Sequence, residues 1–180
     1  EHSRVLAACA AEDRQAVATE LAAYSDLNCV DAAGCTLLMT MCEAGSDSMV
    51  QGLLHHKANP LMRDCAGVDA LARSARRSDH SIGAGAARHL LAAGAEPDGA
   101  DKSGRTPLMG ACEIGSLHVV EMLLRAKADP MRVDATGRGP LMLCSRHSRV
   151  RDLLIQWAQS ALHDEPSYAH VPSPPASPLP

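Results

Sequence analysis

Short apolar stripes at helical spacing recur along the chain and give its first structural signal. Val119, Val120, Leu123 and Leu124 carry the spacing of one buried helix face. Similar leucine pairs occur at Leu53-Leu54, Leu90-Leu91 and Leu153-Leu154. A single unit cannot bury such a stripe by itself, so the pattern predicts helical units that stack on one another to form a common core.

Four Asp-x-x-Gly tetrads divide the chain between these stripes. They begin at Asp31, Asp64, Asp101 and Asp134, which are 33, 37 and 33 residues apart. A period near 33 indicates one supersecondary unit repeated along the chain. The glycine that ends each tetrad lies where a tight turn requires a positive φ, a conformation that glycine adopts without a Cβ clash.

The clearest unit reads DKSGRTPLMGACEIGSLHVVEMLLRAKADPMRV, from Asp101 to Val133. It resembles the ankyrin repeat, whose pattern runs Asp-x-x-Gly-x-Thr-Pro-Leu-His-x-Ala-Ala, then Gly, Val-Val-x-x-Leu-Leu and Gly-Ala-Asp. The resemblance implies an all-α fold, an ankyrin-repeat solenoid of about five helix-turn-helix units joined by β-turn fingers. It covers residues 1–163, with units of about 1–30, 31–63, 64–100, 101–133 and 134–163.

Two units depart from the common length. In the third unit the Leu90-Leu91 pair comes four residues late, so we expect residues 76–85 to form an enlarged loop between the two helices. In the fifth unit the leucine pair comes early, which predicts a shortened inter-helix loop. The first unit is expected to place its helices at about 4–11 and 14–23.

The start of the first helix in each unit carries a capping signal. Thr36 and Thr106 are predicted N-caps, and Asp69 can accept the same bond in the third unit. Gly139 in the fifth unit cannot. Pro107 and Pro140 fit the first helical turn.

Methionine replaces the usual histidine of the ankyrin pattern. Met39, Met109 and Met142 occupy that position, with Ala72 in the third unit. We expect flexible apolar packing there instead of the hydrogen-bond network of the family. Cys9, Cys42 and Cys112 share another position and are predicted to be packed free thiols.

Composition narrows the possible settings of the protein. The chain has 180 residues, a net charge of -4 and seven cysteines. It contains no signal peptide and no apolar run near 18 residues, so neither secretion nor membrane insertion is expected. The charge argues against nucleic-acid binding. We predict an intracellular protein, cytoplasmic or nuclear, because free thiols fit a reducing compartment.

The sequence does not predict an enzyme, a metal centre or a cofactor site. It contains no GxxxxGK[ST], GxSxG or HExxH motif and no CxxC pair. The histidine pair His55-His56 is expected to lie near a helix C-terminus. A methyl-lysine cage requires several aromatic faces around one cation. With no Phe in the chain, and Tyr24, Trp157 and Tyr168 in distant units, such a cage is excluded.

The resemblance implies recognition of a protein or peptide partner on a concave groove and on the fingers. The positions that vary in the family map here onto a mainly basic set, whereas the whole chain is acidic, and this predicts steering of an acidic or phosphorylated partner segment. A generic solvated face is the alternative. The predicted partner-binding residues are Arg63, Val68, Arg76, Arg77, Lys102, Ser103, Arg105, Glu113, Ile114, Arg138, Arg146 and His147.

Residues 164–180 read DEPSYAHVPSPPASPLP and interrupt the repeat pattern. A segment so rich in Pro and Ser is expected to be an extended linker or tail. We expect a monomeric interaction module within a larger protein. Two alternatives stay open: a targeting or regulatory domain of a larger enzyme or channel, and a stoichiometric inhibitor or chaperone of the partner.

Overall fold

The computed structural model describes residues 26–77 and 80–163. Eight α-helices and no strands lie within these two ranges, which confirms the all-α class. The helices predicted for the first unit, together with Cys9 and Tyr24, lie outside the described residues, as does the tail after residue 163. The helices are α1 (Leu37–Ala44), α2 (Asp47–His55), α3 (Ala70–Ala75), α4 (His80–Ala92), α5 (Pro107–Ile114), α6 (Leu117–Arg125), α7 (Pro140–Leu143) and α8 (Ser148–His163).

The helices stack in two parallel layers. The first helices of successive units, α1, α3, α5 and α7, contact one another in order, and the second helices α2, α4, α6 and α8 form the layer behind them. Each first helix also packs against the second helix of its own unit where both are well formed. The core lies between the layers, where side chains such as Leu38, Leu53, Leu71, Leu90 and Leu123 are fully or almost fully buried.

The tetrads form the turns of the fingers, and each aspartate organises its own turn. In the fourth unit the Asp101 Oδ1 atom accepts backbone N–H bonds from Ser103 at 2.9 Å and Arg105 at 3.0 Å. Gly104 follows with φ +78°, as the tight turn requires. Equivalent bonds to the tetrad aspartate hold the other three turns. The aspartate is therefore a structural element of the finger.

Neighbouring fingers are joined by single backbone hydrogen bonds. Cys65 N–H donates to the Ala33 carbonyl at 3.0 Å, and Lys102 N–H donates to the Ala66 carbonyl at 3.0 Å. The last finger repeats the contact, with Ala135 N–H donating to the Ser103 carbonyl at 2.8 Å. These bonds set the register between units and align the side chains that the fingers present.

The predicted helix caps are confirmed. The Thr36 and Thr106 hydroxyl groups each accept the backbone N–H three residues later at 3.3 Å, and the Asp69 carboxylate accepts from Ala72 N–H at 2.8 Å. Gly139 has no side chain with which to cap α7. His55 and His56 lie at the C-terminal end of α2, as expected.

The prediction of an enlarged loop at residues 76–85 is wrong. α4 begins at His80 and is 13 residues long, against nine in α6, so most of the extra residues lengthen the second helix. Gly83 and Gly85 are helical. A Cβ added to Gly83 would lie 2.8 Å from the Ser74 carbonyl oxygen, and one added to Gly85 would overlap the Asp47 carboxylate. The composition of this segment suggests a flexible loop, but the two glycines instead allow close packing of the helix against its neighbours.

The fifth unit also differs from its prediction. α7 has only four residues, and residues 144–147 connect it to α8, whereas two residues connect α5 to α6. The first helix is therefore shortened, and the inter-helix loop is not. The absence of a side-chain cap at Gly139 removes one of the bonds that would stabilise a longer α7.

The predicted apolar packing of the methionines is confirmed for Met39 and Met109 but is wrong for Met142 in the fifth unit. Met39 and Met109 are fully buried, but Met142 is exposed, because no following unit covers its face within residues 26–77 and 80–163. Met39 adds a contact that a purely apolar residue would not make. The Thr36 N–H lies 3.5 Å from the Met39 Sδ atom and completes a reciprocal cap at the start of α1.

Candidate functional site

Three arginines lie beside the finger turns and bind their aspartates. Arg73 Nη2 donates to Asp64 Oδ2 at 2.6 Å, within its own unit. Arg76 Nη2 donates to Asp101 Oδ2 at 2.8 Å, in the finger of the next unit. In the last unit Arg138 Nε and Nη2 lie 3.1 and 3.0 Å from Asp134 Oδ2. Each of these three aspartates thus holds its turn through one oxygen and an arginine through the other.

The two partners of each pair differ in exposure. The aspartate side chains at positions 64, 101 and 134 are 6%, 9% and 2% exposed, whereas their arginine partners at 73, 76 and 138 are 19%, 33% and 47% exposed. A guanidinium has five N–H donors, and these pairs use only some of them. The surface therefore presents hydrogen-bond donors to solvent although the pairs are formally neutral.

Hydrogen bonds keep the finger carboxyl groups ionised. Burial alone would raise the pKa of Asp64, but the Val68 N–H and the Arg73 guanidinium outweigh it and lower that pKa. For Asp134 the Thr136 hydroxyl is the main cause of a strongly lowered pKa, followed by the Arg138 N–H. The aspartates remain negative at neutral pH and hold the arginines in place.

A polar pocket lies between the second and third units. Its volume is about 420 Å³, and it is lined by Glu43, Val68, Arg73, Arg76 and Arg77. Arg73 Nη1 donates to Glu43 Oε2 at 2.5 Å, and Arg77 donates to the Glu43 backbone carbonyl. The Nε atoms of all three arginines are buried without a hydrogen-bond partner. We call this group of three arginines the arginine pocket.

Arg73 is the central residue that the sequence analysis missed. It contacts Glu43, Asp64 and the Cys35 Sγ atom, the last at 3.0 Å. It lies on α3 at the register position of Thr40 and Gly110, so the repeat alignment gave a usable signal: one long cation where the neighbouring units have small residues. Counting only the positions that vary in the family passed over it.

The structure distributes the predicted partner-binding residues over several surfaces. Val68, Arg76 and Arg77 meet in the arginine pocket. Lys102 is exposed on its finger, and the Ser103 hydroxyl donates to Asp101 Oδ1 at 2.6 Å.

Two other predicted residues pair within the fourth unit. Arg105 binds Glu113. Ile114, the last residue of α5, is half-buried. Arg63 lies apart and binds Glu96 at 3.1 Å and the Ala100 carbonyl at 2.6 Å.

Arg146 and His147 line a second cleft, at the inter-helix turns of the last two units. This cleft has a volume of about 740 Å³. His147 Nε2 donates to the Glu113 carbonyl at 3.2 Å. Arg77 makes the equivalent bond to the Glu43 carbonyl two units earlier. Both bonds span 34 residues, so a cation or an imidazole joins adjacent units at the same register position.

Neither a metal centre nor a membrane span is found in the part of the chain that the structure describes. No group of three His, Cys, Asp or Glu side chains in these residues is arranged to hold a metal ion. None of their helices is long and apolar enough to cross a membrane. The cysteines at positions 35, 42, 65, 112 and 144 carry free thiols.

Comparison with known protein families agrees with this architecture. A family model described as ankyrin repeats (3 copies) matches residues 80–162, and a second, described as ankyrin repeat, matches residues 33–65. The two matches together cover more than half of the chain. No curated protein matches the chain. Ankyrin repeats are generally protein–protein interaction modules and are typically non-catalytic. The matched residues, the stacked helix pairs and the fingers lead to one conclusion: the chain belongs to the ankyrin-repeat family.

Proposed function

We propose that this chain is a monomeric protein-interaction module that binds an acidic segment of a partner on the concave side. The observation that carries the proposal is the asymmetry of the finger pairs, in which each arginine side chain is more exposed than the aspartate that it binds. A partner meets guanidinium N–H groups before it meets the carboxylates that hold them. Guanidinium groups match the geometry of carboxylates and bind them through two parallel bonds.

The ion pairs determine how strongly such a partner is attracted. Counting basic residues alone suggests a strongly positive stripe, but Arg76, Arg105 and Arg138 are each balanced by a carboxylate of the chain itself. The pairs weaken long-range steering. They also hold each arginine in a defined direction, so less side-chain entropy is lost when a partner binds. We therefore expect local donor geometry to contribute more to binding than the net field.

Lys102 and Arg77 complete the proposed surface. Lys102 is exposed and forms no ion pair within residues 26–77 and 80–163, so its charge is available to a partner. Arg77 belongs to the arginine pocket, and within the described residues its guanidinium is bound through the Glu43 carbonyl, which is uncharged. An exposed charge pair contributes roughly 0.2–1 kcal/mol. Several such pairs together give a binding energy that is sensitive to salt.

The thiols support an intracellular setting, cytoplasmic or nuclear, which we keep as part of the proposal. Cys42, Cys112 and Cys144 are buried and unpaired with one another. Oxidising compartments favour disulfides, whereas a reducing compartment leaves buried cysteines as thiols.

A capture experiment with paired variants tests the proposal. The full chain carrying Arg77→Glu and Lys102→Glu would be compared with wild type and with Lys57→Glu, Lys127→Glu, which makes the same charge change on exposed lysines outside the pocket. We expect proteins retained from cell lysate by wild type and by the control to be lost from the concave variant, with a weaker salt dependence of what remains. Equal retention by all three proteins would contradict the proposal.

A further inference from the structure

A second cleft lies away from the arginine pocket, at the turns between the helices of the last two units. Its apolar side is formed by Leu117 at the start of α6, Val150 on α8, and Ala84 on α4. Its volume of about 740 Å³ is in the range of clefts that hold a ligand or several peptide side chains. We call it the turn cleft.

The turn cleft lies beside the connection that follows the shortened α7. In the fourth unit α5 continues for eight residues before a two-residue turn, but α7 ends after four and the chain crosses to α8 through residues 144–147. Arg146 and His147 lie on this connection and line the cleft. The connection of the fifth unit therefore supplies part of the cleft wall.

His147 is part of the wall and is held there by two contacts. Its ring packs directly over Gly115, where an added Cβ would overlap it. Its Nε2 atom donates to the Glu113 carbonyl at 3.2 Å. A fixed imidazole on one side leaves the space beside it open to a ligand and to the longer side chains of the rim.

The described rim of the turn cleft is basic. Arg146, Arg149 and His118 contribute to the lining, and none of the lining residues that the structure describes is Asp or Glu. Arg146 and Arg149 form no ion pair within the part of the chain that the structure describes, in contrast to the finger arginines. Both are exposed. Two acidic residues of the neighbouring helices have other partners, since Glu113 pairs with Arg105 and Glu121 pairs with Arg125. Asp152 on α8 forms no ion pair within residues 26–77 and 80–163.

Two uncompensated guanidinium groups beside an apolar floor define the chemistry of a ligand. A carboxylate carries one negative charge and neutralises only one of them. A phosphorylated side chain carries about -1.5 to -2 charges at neutral pH and three acceptor oxygens, so it can satisfy both arginine forks. Leu117 and Val150 can then receive an apolar side chain next to the modified residue.

We propose that the turn cleft is a second binding site, which takes a phosphorylated peptide segment with an adjacent apolar residue. The proposal rests on the proposed function only in taking a polypeptide as the partner, because the residues involved are different. A module with both sites would recognise an acidic segment on its concave side and a phosphorylated residue at its turns. Phosphorylation of the partner would then control how tightly the complex is held.

Three synthetic peptide pools provide the probe. Each has one fixed central residue, phosphothreonine, threonine or glutamate, followed by leucine or valine, with all other positions randomised identically. Binding to the full chain is measured by fluorescence anisotropy at fixed salt. We expect the phosphothreonine pool to bind at least about tenfold more tightly than either other pool, since hydrogen bonds between charged groups contribute about 1.5–3 kcal/mol each.

Variants locate the binding. Arg146→Glu with Arg149→Glu should weaken binding of the phosphothreonine pool at least about tenfold. Arg146→Gln with Arg149→Gln should weaken it as well, without reversing the charge. Lys57→Glu with Lys127→Glu should leave the affinity within about twofold. Circular dichroism and urea unfolding establish that each variant is folded, and the glutamine pair serves as the test if the glutamate pair is not.

Three outcomes would overturn the proposal. The phosphothreonine pool could bind no better than the glutamate pool, its affinity could survive both arginine substitutions, or vesicles containing phosphatidylserine could displace it through the same residues. The Arg77→Glu, Lys102→Glu variant should keep its affinity for the phosphothreonine pool. Failure at the turn cleft is thus distinguishable from failure on the concave side.

Discussion

Arg76 crosses from one unit to the next and donates to Asp101 Oδ2 at 2.8 Å, with its aliphatic stem lying over Gly110. Gly110 is in the interior of α5, where glycine is a poor helix former. A Cβ at this position would lie 2.8 Å from the Arg76 Cγ atom. The absence of a side chain at Gly110 therefore allows the inter-unit ion pair to form. This explains why a glycine occurs inside the helix at this position.

We predict that Gly110→Ala uncouples Arg76 from Asp101. A double-mutant cycle with Arg76→Met and Asp101→Asn should give a coupling energy of about 0.5–1 kcal/mol in wild type. In the Gly110→Ala background the stem must move, and the coupling should fall to near zero. The better helix propensity of alanine, about 0.5–1 kcal/mol, should offset the lost pair in the total stability.

Gly52→Ala provides the matched control. Gly52 lies in α2, and no described atom outside its own stretch of helix lies within 4 Å of the position of an added Cβ. This substitution should raise the free energy of unfolding by about 0.5–1 kcal/mol and leave the Arg76–Asp101 coupling unchanged. An unaltered coupling in Gly110→Ala would show that the stem of Arg76 does not depend on the glycine.

A second prediction concerns the last described unit, whose outer face has no stacked neighbour among the described residues. Leu108 and Leu141 occupy the same repeat position, yet Leu108 is fully buried and Leu141 is 50% exposed. Leu108→Ala should lower the free energy of unfolding by about 2–5 kcal/mol, because it leaves a cavity. Leu141→Ala should lower it by less than about 1 kcal/mol.

Urea unfolding of the full chain measures both leucine variants. A loss at Leu141 as large as the loss at Leu108 would mean that another segment covers this face. Met142, which is also exposed, offers an independent check through Met142→Ala. It should have an equally small effect.

Local rules predicted the finger turns and the helix caps well. The positive φ of Gly67 and Gly104, and the capping bonds of Thr106 and Asp69, depend on residues within four positions of one another. Helical spacing placed the buried face of α6 correctly for the same reason. These features follow from short-range geometry, which a single sequence contains.

Features that depend on contacts between units could not be predicted in the same way. Gly83 and Gly85 suggested a loop, because their close approach to Ser74 and Asp47 is a tertiary contact. The sequence does not show that the basic partner-binding residues are paired with carboxylates. Asp101 has the position of a turn residue, and its bond to Arg76 spans 25 residues. The sequence contained both partners, but only the stacking register brings them together.

A third prediction concerns the thiols. Cys42 and Cys112 are fully buried, and burial raises the pKa of Cys42 to about 12 and that of Cys112 as well. The thiolate is the reactive form, so both should label slowly in the folded protein. Cys65 is exposed and should react first. Peptide mapping by mass spectrometry after timed alkylation distinguishes the sites.

Unfolding in urea is the positive control for the labelling experiment. All cysteines should then react at similar rates, because burial no longer separates them. Rapid labelling of Cys42 and Cys112 together with Cys65 in the folded chain would contradict the assignment of their repeat position to the core.

The last prediction is that the domain loses stability in acid because of its finger aspartates. Burial opposes ionisation of Asp64, Asp101 and Asp134, but hydrogen bonds outweigh it and hold the pKa of each below the ordinary value. A carboxyl group with a lower pKa in the folded state stabilises it above the unfolded pKa, about 3.9 for aspartate. That stabilisation should be complete at pH 6 and should decrease progressively as the pH falls below about 4.

Asp69 acts in the opposite direction, because burial raises its pKa, so its protonation offsets part of the loss. Urea unfolding at a series of pH values measures the balance. Asp101→Asn should be less stable than wild type at pH 7, since Arg76 loses its charged partner, and its stability should depend less steeply on pH in acid. If the variant and wild type lost stability in parallel between pH 5 and pH 2, Asp101 would not contribute to the acid response, and the fingers would have to be held by their backbone bonds alone.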